Sequence, residues 1–250
     1  MSFRVRHSPR FQREDPIDQL LVRSAHDDEF DNDVLDPSWI RTGSGTFDDV
    51  TPISPFTSFT GTGSRWSLNG VQSGGRPSWY TVQIDVPGVP TIRKPIAFPT
   101  DCFIWTRISF SYLNAGQTNN DSTMAMVFIE PTSNDQIYIH LNESDTNTVQ
   151  VEFARIFGGV GASIAVTNNV GGAGTTKGQV GHVVGIQKLG TVYHAWVMSA
   201  AGNWLHVGSA THTGVAPTHA QLAANSATTS PGNWIVGFDF FRFRTGRLLP

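Results

Sequence analysis

The chain is 250 residues long with a formal net charge of −3 at pH 7, so it carries no extended positive field, and nucleic acid and anionic membrane surfaces are excluded as partners. It is rich in Gly and aromatic residues and carries only 15% charged residues, a mixture of short strands and many turns. That length suits one large β domain, and the single cysteine, Cys102, excludes an intramolecular disulfide.

Residues 1–24 read as an N-terminal arm. Arg4, Arg6, Arg10, Arg13 and Arg23 are spread through a polar segment broken by Pro9 and Pro16. Such a segment cannot bury enough surface to offset ~1–2 kcal/mol of backbone entropy per residue. It is either a loose terminus or a docking arm ordered by a partner, with Ile17–Arg23 able to form a helical turn or a short strand. It contains no apolar stretch of signal-peptide type, so we expect no cleaved signal and no membrane span.

The β domain is expected over residues 25–250. It opens on AHDDEFDNDVLDPSW, where Asp27, Asp28, Glu29, Asp31, Asp33 and Asp36 crowd one turn-rich segment. Carboxylates this close repel unless water or a cation lies among them, although the spacing is not that of an EF-hand. Residues 42–99 hold Pro87, Pro90, Pro95 and Pro99, which remove ladder donors, so edge strands and loops are expected there. Trp66, Trp79 and Tyr80 fall in this region; they either cap the core or stack on a sugar or a protein neighbour.

From Asp101 the strand signal strengthens. CFIWTRISFSYL alternates as a half-buried strand, with Ile104, Ile108, Phe110 and Tyr112 on one face, and Cys102 serves as a small apolar packing residue. STMAMVFIEP, DQIYIHLNE and TVQVEFARIF read as an antiparallel meander. GGVGASIAVTNNVGGAGTTKGQ reads as a Gly-rich interlude and not a phosphate loop. Three strands follow in residues 180–212, then a short helix centred on Thr218–Ala224, a last strand WIVGFDFFRF, and a tail, TGRLLP, on the surface or on a partner.

Three motifs together resemble the concanavalin A-like lectin/glucanase superfamily, in its laminin-G-like jelly-roll modules. DEFDNDVLDPSW, Asp28–Trp39, is similar to the opening segment that lays the first strand onto the last; YHAWVMSAAGNWLHVGS resembles the strand, Ser-x-Asp-Gly-x-Trp, strand hairpin; and VGFDFFRF resembles the terminal strand with its Asp-x-Phe. Ala201 stands where that hairpin usually has Asp. The resemblance implies an all-β antiparallel sandwich and brings Asp239 near the opening acids. Asp28, Asp31 and Asp239 are therefore the candidate metal cluster, for a structural Ca2+, the alternative being a buried Asp239 satisfied by backbone donors. No other cofactor is expected.

Glucanases of the superfamily carry paired acids on one strand. The nearest text here, Glu143-Ser-Asp145-Thr-Asn-Thr148, lacks the last acid, and neither a GxSxG elbow nor an HExxH helix occurs, so the sequence leads us to expect a non-enzyme. Two roles then stand. As a carbohydrate-binding module, the protein would stack Trp66, Trp79, Tyr80, Tyr138 or Trp204 on sugar rings. As a structural protein, it would use the Arg-rich arm to dock on other virion subunits. The opening motif is similar to that of virion proteins of tailed bacteriophages, which implies a capsid-decorating or tail-attached accessory protein, made in the host cytoplasm and built into a symmetric assembly.

Overall fold

The computed structural model describes residues 24–28, 30, 35–42, 46–48, 80–84, 91–112, 122–129, 135–143, 149–158, 160–168, 182–199, 202–214, 216–226 and 234–250. The described residues contain fourteen strands and no helix: β1 (Ile40–Thr42), β2 (Thr46–Asp48), β3 (Tyr80–Ile84), β4 (Thr91–Pro95), β5 (Asp101–Tyr112), β6 (Ser122–Ile129), β7 (Gln136–Glu143), β8 (Val149–Phe157), β9 (Val160–Asn168), β10 (His182–Leu189), β11 (Val192–Met198), β12 (Trp204–Thr211), β13 (His219–Ser226) and β14 (Trp234–Thr245). They form two sheets with every pairing antiparallel. Sheet I has the order β1-β4-β13-β6-β7-β8-β9, and sheet II the order β12-β11-β10-β5-β14-β3-β2.

The core lies between the sheets because alternate residues of each strand point the same way. Sheet I contributes Ile92, Ile137, Ile139, Leu141, Val151, Phe153, Ala220 and Leu222; sheet II contributes Ile104, Ile108, Val184, Ile186, Tyr193, Ala195, Val197, Phe238, Phe241 and Phe243. Cys102 belongs to this core, and burial pushes its thiol up to about 12, so it packs and does not react.

A bulge in β14 resolves the run FDFF. Phe238 pairs with Ile108 and Phe241 with Thr106, so two residues of β14 oppose the single Arg107. Phe238 and Phe241 can then both face the core while Phe240 turns to the outer side. The Thr106 hydroxyl donates to the Phe240 carbonyl at the bulge.

The opening segment reaches the last strand by one isolated bridge, while the first strand, β1, pairs with β4 and not with β14 as the motif implied. Asp28 forms a bridge with Phe241 of β14, its N–H donating to Phe241 O at 2.9 Å and its carbonyl accepting from Phe241 N–H at 2.8 Å. The Asp28 carboxylate accepts from Trp39 Nε1–H at 2.7 Å and from Phe30 N–H at 2.8 Å, and Trp39 lies edge-on to Phe241. Asp27 takes both of its contacts with Arg244 Nη1 at 2.7 Å and also accepts from Phe243 N–H. Lys94 sits 5.3 Å over the Trp39 ring, where Asp36, Asp28 and Asp27 all oppose the fall in its pKa that burial causes. The crowded acids thus have Arg244 and Lys94 beside them as positive charges.

Four sequence expectations are corrected. Residues 219–226 form β13 and not a helix: Ala220 and Leu222 recur at period two and enter the core, and that packing overrides the helix propensity of Ala, Gln and Leu. The first part of the Gly-rich interlude is strand β9, an edge strand paired with β8. The first half of β5 is buried on both faces, because Phe103 and Trp105 on its outer side are covered as fully as Ile104 on its inner side. The tail packs on its own sheet: Leu248 and Leu249 are buried, held by the side-chain amide of Gln187. The proline-rich region supplies the edge strand β2, as expected, and also β3 and β4, each one strand in from an edge.

Candidate functional site

Each sheet of a sandwich has one face on the core and one outside it, and a polar side chain on the outer face ordinarily meets water. On β7 the inward set is Ile137, Ile139 and Leu141, which leaves Gln136, Tyr138 and His140 outward. On β8, Val151 and Phe153 point inward and Glu152 outward, and the register sets Glu152 directly opposite His140. His140 is nevertheless only 8% exposed.

Its ring is oriented by its neighbour. His140 Nε2 lies 2.8 Å from Glu152 Oε2. Burial holds the imidazole below its usual range, outweighing the upward pull of Glu152, so the ring is neutral near pH 7. A carboxylate only accepts, so it fixes the proton on Nε2 and leaves Nδ1 as a lone-pair acceptor. That Nδ1 is buried and has no hydrogen-bond partner. Tyr138 stands beside it with ring centroids 5.5 Å apart, and burial first, then Glu152, raises its phenol.

The same face continues across the sheet. The register carries Tyr138 through Val127 to Gln221 and then to Arg93. Gln221 is buried and its Nε2 reaches Thr91 Oγ1 at 3.5 Å, while Arg93 Nε is a second buried polar atom without a partner. Three strand spacings of ~4.8 Å separate the Tyr138 and Arg93 positions by about 14 Å, with His140 two residues further along β7, a span suited to an extended ligand. The arrangement offers an oriented acceptor at His140 Nδ1, a donor at Arg93 and an aromatic ring at Tyr138. Glu152, the carboxylate described on this stretch, is engaged by His140.

The other outer face, on sheet II, is aromatic. Phe103 stacks on Trp105 at 4.9 Å and 18°, Trp204 meets Phe103 edge-on at 5.2 Å, and Arg244 lies 5.4 Å over Trp105. The tail residues Leu248 and Leu249 belong to this cluster.

The sequence-predicted residues are therefore divided. Tyr138 and Trp204 lie on the outer faces of opposite sheets and do not share a site. Tyr80 begins β3, but its side chain is outside the described residues, as are Trp66, Trp79, Asp31 and Arg4, Arg6, Arg10, Arg13 and Arg23. Asp239 is in β14 with its side chain likewise outside them, so only Asp28 of the proposed metal cluster is seen, bound to Trp39 and Phe30. Among the described residues no three His, Cys, Asp or Glu side chains gather as a metal site. Sequence reasoning missed His140, Glu152, Gln221 and Arg93. The alternation in QIYIHLN could have shown which residues face outward, but the pairing with Glu152 needs the register.

These two antiparallel sheets are a concanavalin A-like jelly-roll sandwich. Among solved structures, the chain is similar to a β-glucanase of Bacillus licheniformis, with a TM-score of 0.54, 15% identity, and coverage of 88% of this chain and 97% of that one. It is also similar to a legume lectin-like domain from Entamoeba histolytica, with a TM-score of 0.51, 10% identity, and coverage of 83% and 90%. A third is a xylan β-1,4-xylosidase of Bacillus halodurans, with a TM-score of 0.53, 13% identity, and coverage of 89% of this chain but 40% of that one. The chain thus spans about two fifths of the length of the xylosidase-type proteins it matches. No protein-family model matches the chain, and no curated protein matches it in sequence. The expectation of a non-enzyme is corrected here: the similar structures include glycoside hydrolases, so this fold also carries catalytic proteins and the departure at Thr148 does not exclude an enzyme. At these identities the likeness shows the fold.

Proposed function

We propose that the protein is a carbohydrate-directed β-sandwich that takes an extended saccharide across the outer face of sheet I. The observation that carries this reading is the oriented, neutral His140 with a buried and unpartnered Nδ1, on the same outer face as Tyr138, Gln221 and Arg93. A saccharide that displaces what covers this face would donate a hydroxyl to Nδ1, stack a ring face on the half-buried Tyr138, and place further hydroxyls against Arg93 and Gln221. The lectin-like domain and the glucanase of similar fold are in keeping with a saccharide ligand.

The test is retardation and cleavage of a panel of soluble polysaccharides by the wild-type chain, Tyr138→Ala and His140→Gln. Retention or turnover of at least one polysaccharide, weakened tenfold or more by each substitution, is the expected result. Binding that neither substitution changes would move the ligand to another surface.

We also propose a setting, an accessory protein of a tailed-bacteriophage virion, on the capsid or the tail, docked through the arm of residues 1–24. Its support is the resemblance of the opening motif, in which Asp28 bridges Phe241 of β14 and binds Trp39. Removing residues 1–24 should leave the sandwich folded and abolish incorporation into particles. Undiminished incorporation would refute the docking role.

A further inference from the structure

His194 and His206 are far from the face just described and are not close in sequence, yet they meet on the outer side of sheet II. A bulge makes the meeting. Between β11 and β12, Ala195 pairs with Gly208 but Trp196 pairs with His206, so Val207 is the extra residue. In a regular ladder Trp196 would face Val207, and His206 would point to the other side; the bulge turns His206 outward beside Trp196 and diagonal to His194. His194 Nδ1 and His206 Nε2 then stand 3.4 Å apart, and the rings are 5.5 Å between centroids.

We propose that His194 and His206 form a two-imidazole site for a divalent transition-metal ion such as zinc or copper. The separation is the argument. Two nitrogens at ~2.05 Å from one tetrahedral ion lie about 3.3–3.4 Å apart, which is the spacing already held by the strands. The two rings hang from paired strands at hydrogen-bonding distance, so rotation of the rings to turn both lone pairs to one ion is the ordering cost of binding. His206 is exposed and His194 half-buried, which leaves the remaining coordination positions to water or to an outside ligand. Both rings must be neutral to bind. Burial first, and then His206 and Arg247, keep His194 below its usual range, so it is ready as a ligand at pH 7. The nearby positive charge of Arg247 works against a cation, so binding is weaker than at a four-ligand structural site.

The structure supplies its own reporter. The Trp196 ring is 4.9 Å from that of His206, close enough for bound copper to quench its fluorescence. The experiment is calorimetric titration of the full, tag-free chain with zinc, and fluorescence titration with copper, for wild type, His194→Ala, His206→Ala and the control His219→Ala. Calcium serves as the oxygen-preferring comparison ion. One saturable zinc site is expected, weakened at least tenfold by either substitution at the pair and unchanged by His219→Ala, with part of the copper quench lost in parallel and no response to calcium. His206 is exposed, so its substitution should leave the melting curve in place and the comparison valid. The proposal fails if no zinc binds, if neither substitution weakens binding, or if only one does, which would mean a lone imidazole.

Discussion

Gln187→Ala should release the C-terminal tail. The Gln187 side chain is fully buried; its Nε2 donates to Leu249 O at 3.1 Å, and its Oε1 accepts from Leu248 N–H at 3.1 Å and Leu249 N–H at 2.8 Å. Truncation leaves two backbone donors and one acceptor to choose between two losses. If the tail stays, the Leu248 and Leu249 N–H groups go unsatisfied at ~1–3 kcal/mol each, while Leu249 O keeps Arg247 Nε–H at 3.3 Å. If it leaves, the burial of two leucines is lost at ~1.5–3 kcal/mol each, an upper estimate because the unfolded chain is itself partly compact. The cheaper route governs, and we expect a destabilisation of about 3–4 kcal/mol. Urea unfolding of Gln187→Ala, of a chain ending at Arg247 and of the two combined measures it. The double variant should be no less stable than the shorter chain by more than about 1 kcal/mol, because the amide's partners are already gone. Wild-type stability of Gln187→Ala would refute the argument, and so would full additivity.

Other consequences follow from the packing and the charges. Phe153→Ala or Phe241→Ala, each fully buried in the central core, should cost about 3–5 kcal/mol in chemical unfolding. A Cβ on Gly185 would stand 2.6 Å from two atoms of the Phe103 ring and 2.8 Å from the Ile104 carbonyl, so Gly185→Ala should destabilise by about 1–3 kcal/mol despite its small size. For His140 the folded pKa lies below the unfolded value near 6.5, so the unfolded chain binds the proton more tightly; its contribution is complete above pH ~6.5 and is lost as the pH falls through that value toward the folded pKa. His140→Gln should flatten the fall in stability between about pH 7 and 5, read as a smaller shift in urea midpoint, with the lowered His26, His194 and His219 accounting for what remains. An unchanged pH profile would mean that the His140 ring is not shielded from protonation.

Much of the architecture was legible because strand alternation is a local signal. Ile104, Ile108, Ile137, Ile139 and Leu141 announce the inward face in the sequence itself, and the opening and closing motifs point to a meeting of the opening segment with the last strand, though not to the pairing of β1 with β4. What the sequence hid depends on register. The bulge at Phe238–Phe241 breaks the alternation where the aromatic run is densest, so the division between core and outer cluster could not be counted out residue by residue. Strand β13 hid because Ala, Gln and Leu favour a helix until Ala220 and Leu222 find the core. The tail's leucines hid because their partner, Gln187, is a polar residue buried on the outer side of a central strand. The candidate site was hidden for the same reason: motif spacing runs along the chain, whereas His140 with Glu152, and His194 with His206, are brought together across it.

The most direct measurement is a structure of the protein with the best-retained oligosaccharide bound. The account predicts sugar density across the outer face of sheet I, one ring stacked on Tyr138 and a hydroxyl within hydrogen-bonding distance of His140 Nδ1. Sugar on the Trp204 side of sheet II, with His140 Nδ1 still unpartnered, would contradict it.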